Sequence, residues 1–338
     1  MRAAVDVMGG DHAPEAVLQG CWQAAPMLGE QDVVYLIGDP AVCESGLQTS
    51  ELPAEKKSIF RIVPATQVIG MDESPVEAVR GKPNSSINIM AKMTAAGEAD
   101  VAISAGNTGA CVAAAQLRMR TLPGVSRPGI AVIFPTFHGP VIMCDVGANP
   151  EPKPKHLMQY GLMAAGYATA VCGIENPRVG LLNIGEEDSK GTTVAQKTNK
   201  IMAAEKQINF IGNVEGRDVF KGKVDVIVCD GFVGNILLKF FEGTVESLFR
   251  EMGTGLKKDV PDLMGRISPA IKSVQSKLDW RDYGGAPLLG VGGHCLICHG
   301  SSDARAIRNT IRVGQQLSKS DINQKIVEKI QKCVPVEE

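Results

Sequence analysis

Val101-Ala102-Ile103-Ser104-Ala105-Gly106-Asn107-Thr108-Gly109-Ala110 holds a strand, a turn and the start of a helix. Val101–Ser104 is apolar without alternation, as in a strand buried on both faces. Gly106 and Asn107 supply turn chemistry, and helical spacing continues from Thr108 to Met119. Three other segments repeat this design: Val5-Asp6-Val7-Met8-Gly9-Gly10-Asp11-His12, Leu182-Asn183-Ile184-Gly185-Glu186-Glu187-Asp188-Ser189-Lys190-Gly191-Thr192, and Val228-Cys229-Asp230-Gly231-Phe232-Val233-Gly234-Asn235. Outward from these units, strand-like runs fall at Ala3–Val7, Val33–Ile37, Ser58–Val63, Val101–Ser104, Ala131–Phe134, Val141–Cys144, Val179–Asn183, Ile208–Ile211 and Val224–Cys229. Helical patterns separate several of them, at Pro14–Met27, Ser86–Ala96, Thr108–Met119, Lys155–Val171 and Thr193–Glu205. The alternation predicts βαβ units, hence an α/β fold with a mostly parallel sheet and helices on both faces.

The 338 residues suit one large two-lobed domain or two modest ones. Between Gly243 and Gly285 the rhythm changes to helical spacing alone: Leu256, Val260, Leu263, Ile267, Ile271, Val274 and Leu278. Pro261 and Pro269 predict a division into short helices, so this stretch reads as a helical excursion from the main body.

Hydrophobic residues make up 44% and charged residues 21%, which allows a sizeable core. A net charge of −2 and only 4% aromatics argue against nucleic acid, which needs a basic field or stacking platforms. No run reaches the ~18 apolar residues of a membrane span, and the N-terminus runs straight into a strand without a signal-type apolar region. Nine cysteines in that context predict reduced thiols and a cytoplasmic protein.

The four turns are where chemistry is expected, because ligands of open α/β sheets bind beyond the carboxyl ends of strands. Glycines let the backbone approach a ligand, and each following helix offers free N–H groups to an anion. The candidates for phosphate and substrate contact are Asp6, Gly9, Gly10 and Asp11 in the first turn and Ser104, Gly106, Thr108 and Gly109 in the second. Glu187, Ser189, Gly191 and Thr192 in the third and Gly231 in the fourth complete them. Any one loop is equally explained by the geometry of a βα connection; four together are not. None carries the glycine fingerprint of dinucleotide or Walker-type nucleotide sites, so no nucleotide cofactor is indicated. In Arg80-Gly81-Lys82-Pro83-Asn84-Ser85-Ser86, the serines either cap the next helix or join the cations in binding an anion.

These residues together resemble the phosphate acyltransferases of bacterial phospholipid synthesis, the acyl-carrier-protein:phosphate acyltransferase (PlsX) family. The landmarks are Asp6–Pro14, Ser104–Ala110, Ile184–Gly191, Asn209–Asp218, Cys229–Lys239, Tyr283–Gly290 and Cys298–Ser302, spread in order over nearly the whole chain. The resemblance implies an α/β/α sandwich like those of phosphotransacetylases and isopropylmalate-type dehydrogenases. That fold would be one two-lobed domain over residues 1–338, usually dimeric, with a cleft between lobes and residues 243–285 as a protruding tip. It implies attack of inorganic phosphate on a long-chain acyl thioester of acyl carrier protein, with no cofactor and no metal. Acyl phosphate would then feed a membrane glycerol-3-phosphate acyltransferase. Ile297 departs from the family pattern, where many members carry lysine, so no catalytic lysine is assumed there.

On that reading phosphate sits between the Ser104–Gly109 turn and the Glu186–Thr192 loop, with Lys190 balancing its charge. Asn107 or Asn235 would donate to the oxyanion, and His12 or His299 would protonate the thiolate or orient phosphate. Asp6, Asp11 and Asp230 would organise these groups. Rivals are a short-chain phosphotransacetylase using coenzyme A, a decarboxylating dehydrogenase, and a non-enzymatic scaffold at the membrane.

Cys295-Leu296-Ile297-Cys298-His299 matches a haem-attachment pattern, but its apolar setting favours buried thiols on a strand. The Leu256–Arg281 stretch carries six cations against three anions beside its apolar stripe, which suits a dimer partner, a membrane interface, or both. Arg118, Arg120 and Arg127, with Arg80 and Lys82, are candidates for landing an acidic carrier protein.

Overall fold

The computed structural model describes residues 1–333. Eleven strands form one sheet: β1 (Arg2–Asp6), β2 (Val33–Gly38), β3 (Phe60–Pro64), β4 (Val101–Ser104), β5 (Gly129–Phe134), β6 (Val141–Cys144), β7 (Arg178–Leu182), β8 (Asn209–Val214), β9 (Val226–Val228), β10 (Ala286–Leu289) and β11 (His294–Ile297). Their order is β3-β2-β1-β4-β11-β10-β5-β6-β9-β7-β8. Pairing is parallel on either side, and antiparallel only around β10 and β5. The fold is thus the expected mostly parallel α/β arrangement, but its two parallel halves run in opposite directions.

Both faces of the sheet are covered. Ala3 and Val5 of β1 and Ile142 and Cys144 of β6 join one core with the helices Glu15–Ala24, Pro154–Cys172 and Ala304–Ser318. Their neighbours Ala4, Val141 and Met143 join the other, with the helices Ser86–Ala95 and Thr108–Arg118. Alternate side chains of one strand pointing into two cores is the reason these runs are continuously apolar.

Turn polar residues start the helices as caps. Ser85, Asn107, Thr192 and Asp230 each accept a backbone N–H of the helix that follows, an interaction worth about 1 kcal/mol apiece. The helix begun by Asp230 runs from Gly231 to Asp259, about 43 Å at 1.5 Å per residue. The predicted excursion is therefore the outer part of this helix plus a second helix, Met264–Lys277.

Pro261 does break the chain there, but Pro269 does not: it lies inside Met264–Lys277. No residue of that helix is buried, so accommodating the proline ring disturbs no packing. The sequence reading also left out β10 and five helices, Pro40–Thr49, Ala54–Lys57, Pro75–Gly81, Ala304–Ser318 and Ile322–Lys332.

Candidate functional site: a cleft between the two halves

The turns after β1 and β4 meet through a buried carboxylate. Ser104 Oγ donates to Asp6 Oδ2 at 2.7 Å, Met8 N–H donates to Asp6 Oδ1 at 3.1 Å, and Gly106 N–H donates to Ser104 Oγ at 2.9 Å. Burial pushes the Asp6 carboxyl up, opposed by hydrogen bonds from Ser86, Ser104 and the Met8 and Gly9 N–H groups. A Cβ on Gly9 would collide with Asp6 Oδ2 and Gly106 N, so glycine is needed for the two turns to approach. Ser85 is fully buried as the cap of Ser86–Ala95, so both serines face inward. Lys82 pairs with Glu73 at 2.6 Å.

Asn107 uses its whole side chain locally. Its Oδ1 caps Ala110 N–H, and its Nδ2 donates to the carbonyls of Gly70, Met71 and Glu73 at 3.1–3.2 Å. It fastens the 70–73 loop over the helix start and has no amide proton left for an oxyanion. The N–H groups of Thr108 and Gly109 open the helix and lack intrahelical partners.

Thr108 and Gly109 line a cleft of about 440 Å3 with Asp11, His299 and Gly300. The helix Gly231–Asp259 forms its opposite wall with Asn235, Lys239 and Glu242, at spacings of four and three along one face. Asn235 has no side-chain partner among the described residues. His299 Nδ1 lies 2.7 Å from Ser301 Oγ and accepts the Ser301 N–H at 3.2 Å, and its ring centroid is 6.1 Å from that of Trp280. Burial pushes the Glu242 carboxyl up, while the charges on His299 and Lys239 pull it back.

The third and fourth turns line a different hollow, of about 960 Å3, with Asn183, Gly191, Thr192 and Asp230 at its rim. Val233, Ile236, Leu237 and Phe240 of the same long helix line it, so the helix separates hollow from cleft. In the loop, Lys190 N–H donates to the Glu187 carbonyl at 3.0 Å, and the Lys190 carbonyl accepts Asn183 Nδ2 at 3.1 Å. Gly191 takes φ +87°, where a Cβ would strike Asn183. Lys190, Glu187 and Ser189 are exposed. Within one chain the structure therefore does not bring Lys190 to Thr108. His12 does not line the cleft; it lies in an adjoining depression that shares Asp11 with it, beside Gln19 and Arg305.

Sequence reasoning passed over three groups. Lys239 and Glu242 were detectable from their helical spacing to Asn235. Asp145 had no such signal: fully buried, it accepts N–H groups of Ile130, Gly147, Ala148 and Asn149 at 2.7–3.1 Å and so fixes the turn after β6. Cys295 and Cys298 are buried at the end of β11, and no group of three or more potential metal ligands occurs among the described residues.

Residues 1–325 match the family model described as fatty acid synthesis protein. The chain is 45% identical over 337 residues to a protein of Heliobacterium modesticaldum named phosphate acyltransferase, covering 99% of this chain and 98% of that one. It is 44% identical over 330 residues to one of the same name from Nostoc punctiforme, covering 96% and 95%. In fold it is similar to a phosphotransacetylase from Streptococcus pyogenes, with a TM-score of 0.63, 15% identity and 94% of both chains covered. Similarity that runs through every strand and both walls of the cleft makes this chain a member of the fatty acid synthesis protein family, among relatives named phosphate acyltransferase.

Proposed function

We propose that the enzyme transfers the long-chain acyl group of acyl carrier protein to inorganic phosphate, releasing acyl phosphate and free carrier thiol. The observation that carries this reading is the convergence of a helix N-terminus, a lysine, a histidine and a carboxylate in one cleft. Phosphate takes the Thr108–Gly109 N–H groups, where the helix dipole favours an anion, with Lys239 as the cation beside it. One phosphate oxygen attacks the thioester carbon, and the oxyanion collapses with cleavage of the C–S bond. His299 supplies a proton to the departing thiolate, and Glu242 offsets the charge of Lys239 and His299. Asn235 is the side-chain donor we assign to the oxyanion, in place of Asn107. Asp6 and Asp11 position the turns, and Asp230 caps the opposite helix. Because a thioester is already activated, alignment and electrostatics are sufficient.

Lys190 takes no part in the phosphate site on this reading; it is exposed next to Gly191 and Thr192, which line the hollow across the long helix. That hollow is continuous with an exposed apolar face, which we assign to a homodimer contact. The cations Arg118, Arg120 and Arg127 suit the acidic carrier protein.

The test is turnover of palmitoyl-carrier protein by the pure enzyme with and without phosphate, trapping product with hydroxylamine. Phosphate-dependent acyl phosphate is expected, and Asn235→Ala should lower kcat about a hundredfold. Turnover of short acyl-coenzyme A alone would select the phosphotransacetylase reading, and no product from either would refute acyl transfer.

A further inference from the structure

The sheet forks at β10. Leu288 and Leu289 pair with Ile130 and Gly129 of β5, whereas Ala286 and Pro287 pair only with β11. From Ala131 to Phe134, β5 pairs only with β6, so the two halves of the molecule part between β5 and the start of β10. The cleft passes through this gap. Val132 and Ile133, whose side chains point to opposite faces, both line it. So do Leu238 from the helix on one face and Tyr167 from Pro154–Cys172 on the other.

The two parts of this space differ in chemistry. Asp11, Thr108, Lys239 and His299 are exposed at the mouth. The wall beyond is apolar and buried: Ile130, Val146, Pro287 and Ile297. Tyr167 is also fully buried there, and its hydroxyl has no partner among the described residues. An ion or a carrier protein has nothing to bind along such a wall. A hydrocarbon chain joined to a polar reacting group fits both parts at once.

We propose that the arm between β5 and β10 holds the acyl chain, and that Val132, Ala286 and Tyr167 set the chain length it accepts. The inference rests on the acyl-transfer reading above. The thioester lies at the mouth beside Thr108 and His299, and the chain runs through the fork toward Tyr167. Methylenes that fit leave water; those beyond the end of the arm do not, so selectivity follows the depth of the arm.

Val132→Phe and the milder Ala286→Val narrow the arm without touching the mouth. The measurement is kcat/KM for octanoyl-, dodecanoyl- and palmitoyl-carrier protein, with melting temperatures run alongside. The palmitoyl-to-octanoyl ratio should fall about tenfold in Val132→Phe, as several methylenes lose their burial, and less in Ala286→Val. A ratio within twofold of the parent overturns the channel while leaving acyl transfer intact. If Val132→Phe fails to fold, the ratio in Ala286→Val decides. Absence of acyl phosphate from the parent at every chain length would instead remove the reading on which the channel rests.

Discussion

Burial raises the Glu242 carboxyl while the nearby charges of His299 and Lys239 oppose that rise, and the net direction is upward. On acidification Glu242 therefore takes its proton at a higher pH than an exposed glutamate, which titrates near 4.3. Asp11, Lys239, His299 and Tyr283 share the cleft with it. Once neutral, Glu242 no longer offsets the two cations, and phosphate and thiolate lose an ordered charge pattern. We expect kcat/KM of the parent to fall on the acid side through this ionisation. Glu242→Gln, held neutral, should run near the acid-side rate throughout and lack that limb, about tenfold below the parent at neutral pH. A variant profile that keeps the parent's acid limb would release Glu242 from this role. Asn107 shows why such roles are hard to read from residue type alone. The sequence reading took it for a turn residue and an oxyanion donor, whereas its Oδ1 caps the helix that follows. That its amide is spent on the carbonyls of Gly70, Met71 and Glu73 depends on a loop distant in sequence.

One element, the helix Gly231–Asp259, carries several of the assignments at once. Of its cleft face the sequence reading named Asn235 alone, although Lys239 and Glu242 follow it at helical spacing. Its outer face holds Phe232, Ile236, Phe240, Leu248 and Met252, all exposed, in a row of i+4 steps interrupted only by Thr244. Phe240 is 68% exposed, a poor arrangement for a lone chain. Such a row is the kind of ridge by which two helices interdigitate, and in the homodimer proposed above a second copy would supply an identical ridge across a two-fold axis. Phe240→Asp should convert a dimer to a monomer by sedimentation or light scattering, and an unchanged mass would exclude this face as the interface. The central strands were legible to within a few residues because both faces are buried and the runs are continuously apolar. β10 was not: it is four residues long, contains Pro287, and owes its pairing to β5 and β11 from far along the chain. The opposite directions of the two halves were equally hidden.

At the scale of the whole molecule, the outer end of that helix and Met264–Lys277 stand away from both cores. Their foot is tied down: Arg281 and Arg305 pair with Asp279, Asp282 and Asp303. Arg281 is thereby withdrawn from the basic face, leaving Lys257, Lys258, Arg266, Lys272 and Lys277 beside Leu263, Ile267, Ile271 and Val274. No residue of Met264–Lys277 is buried, and Leu263 and Val274 are among the exposed apolar residues. No helix of the described residues is long and apolar enough to cross a membrane. A short amphipathic helix with a basic face instead lies in the interface, gaining about 1 kcal/mol per lysine or arginine near an anionic surface. We propose that this tip docks the enzyme on the membrane, where a poorly soluble acyl phosphate is delivered to the next acyltransferase without crossing water. Leu263→Glu with Ile267→Glu should cut binding to vesicles of anionic lipid at least about tenfold, since it removes two apolar contacts and adds two like charges. Turnover of soluble acyl-carrier protein, which depends on the cleft, should persist in the same variant. Retained vesicle binding would assign the stripe to the dimer contact alone. Binding that is lost only together with the dimer would show that lipid reads a paired tip, two basic helices presented side by side.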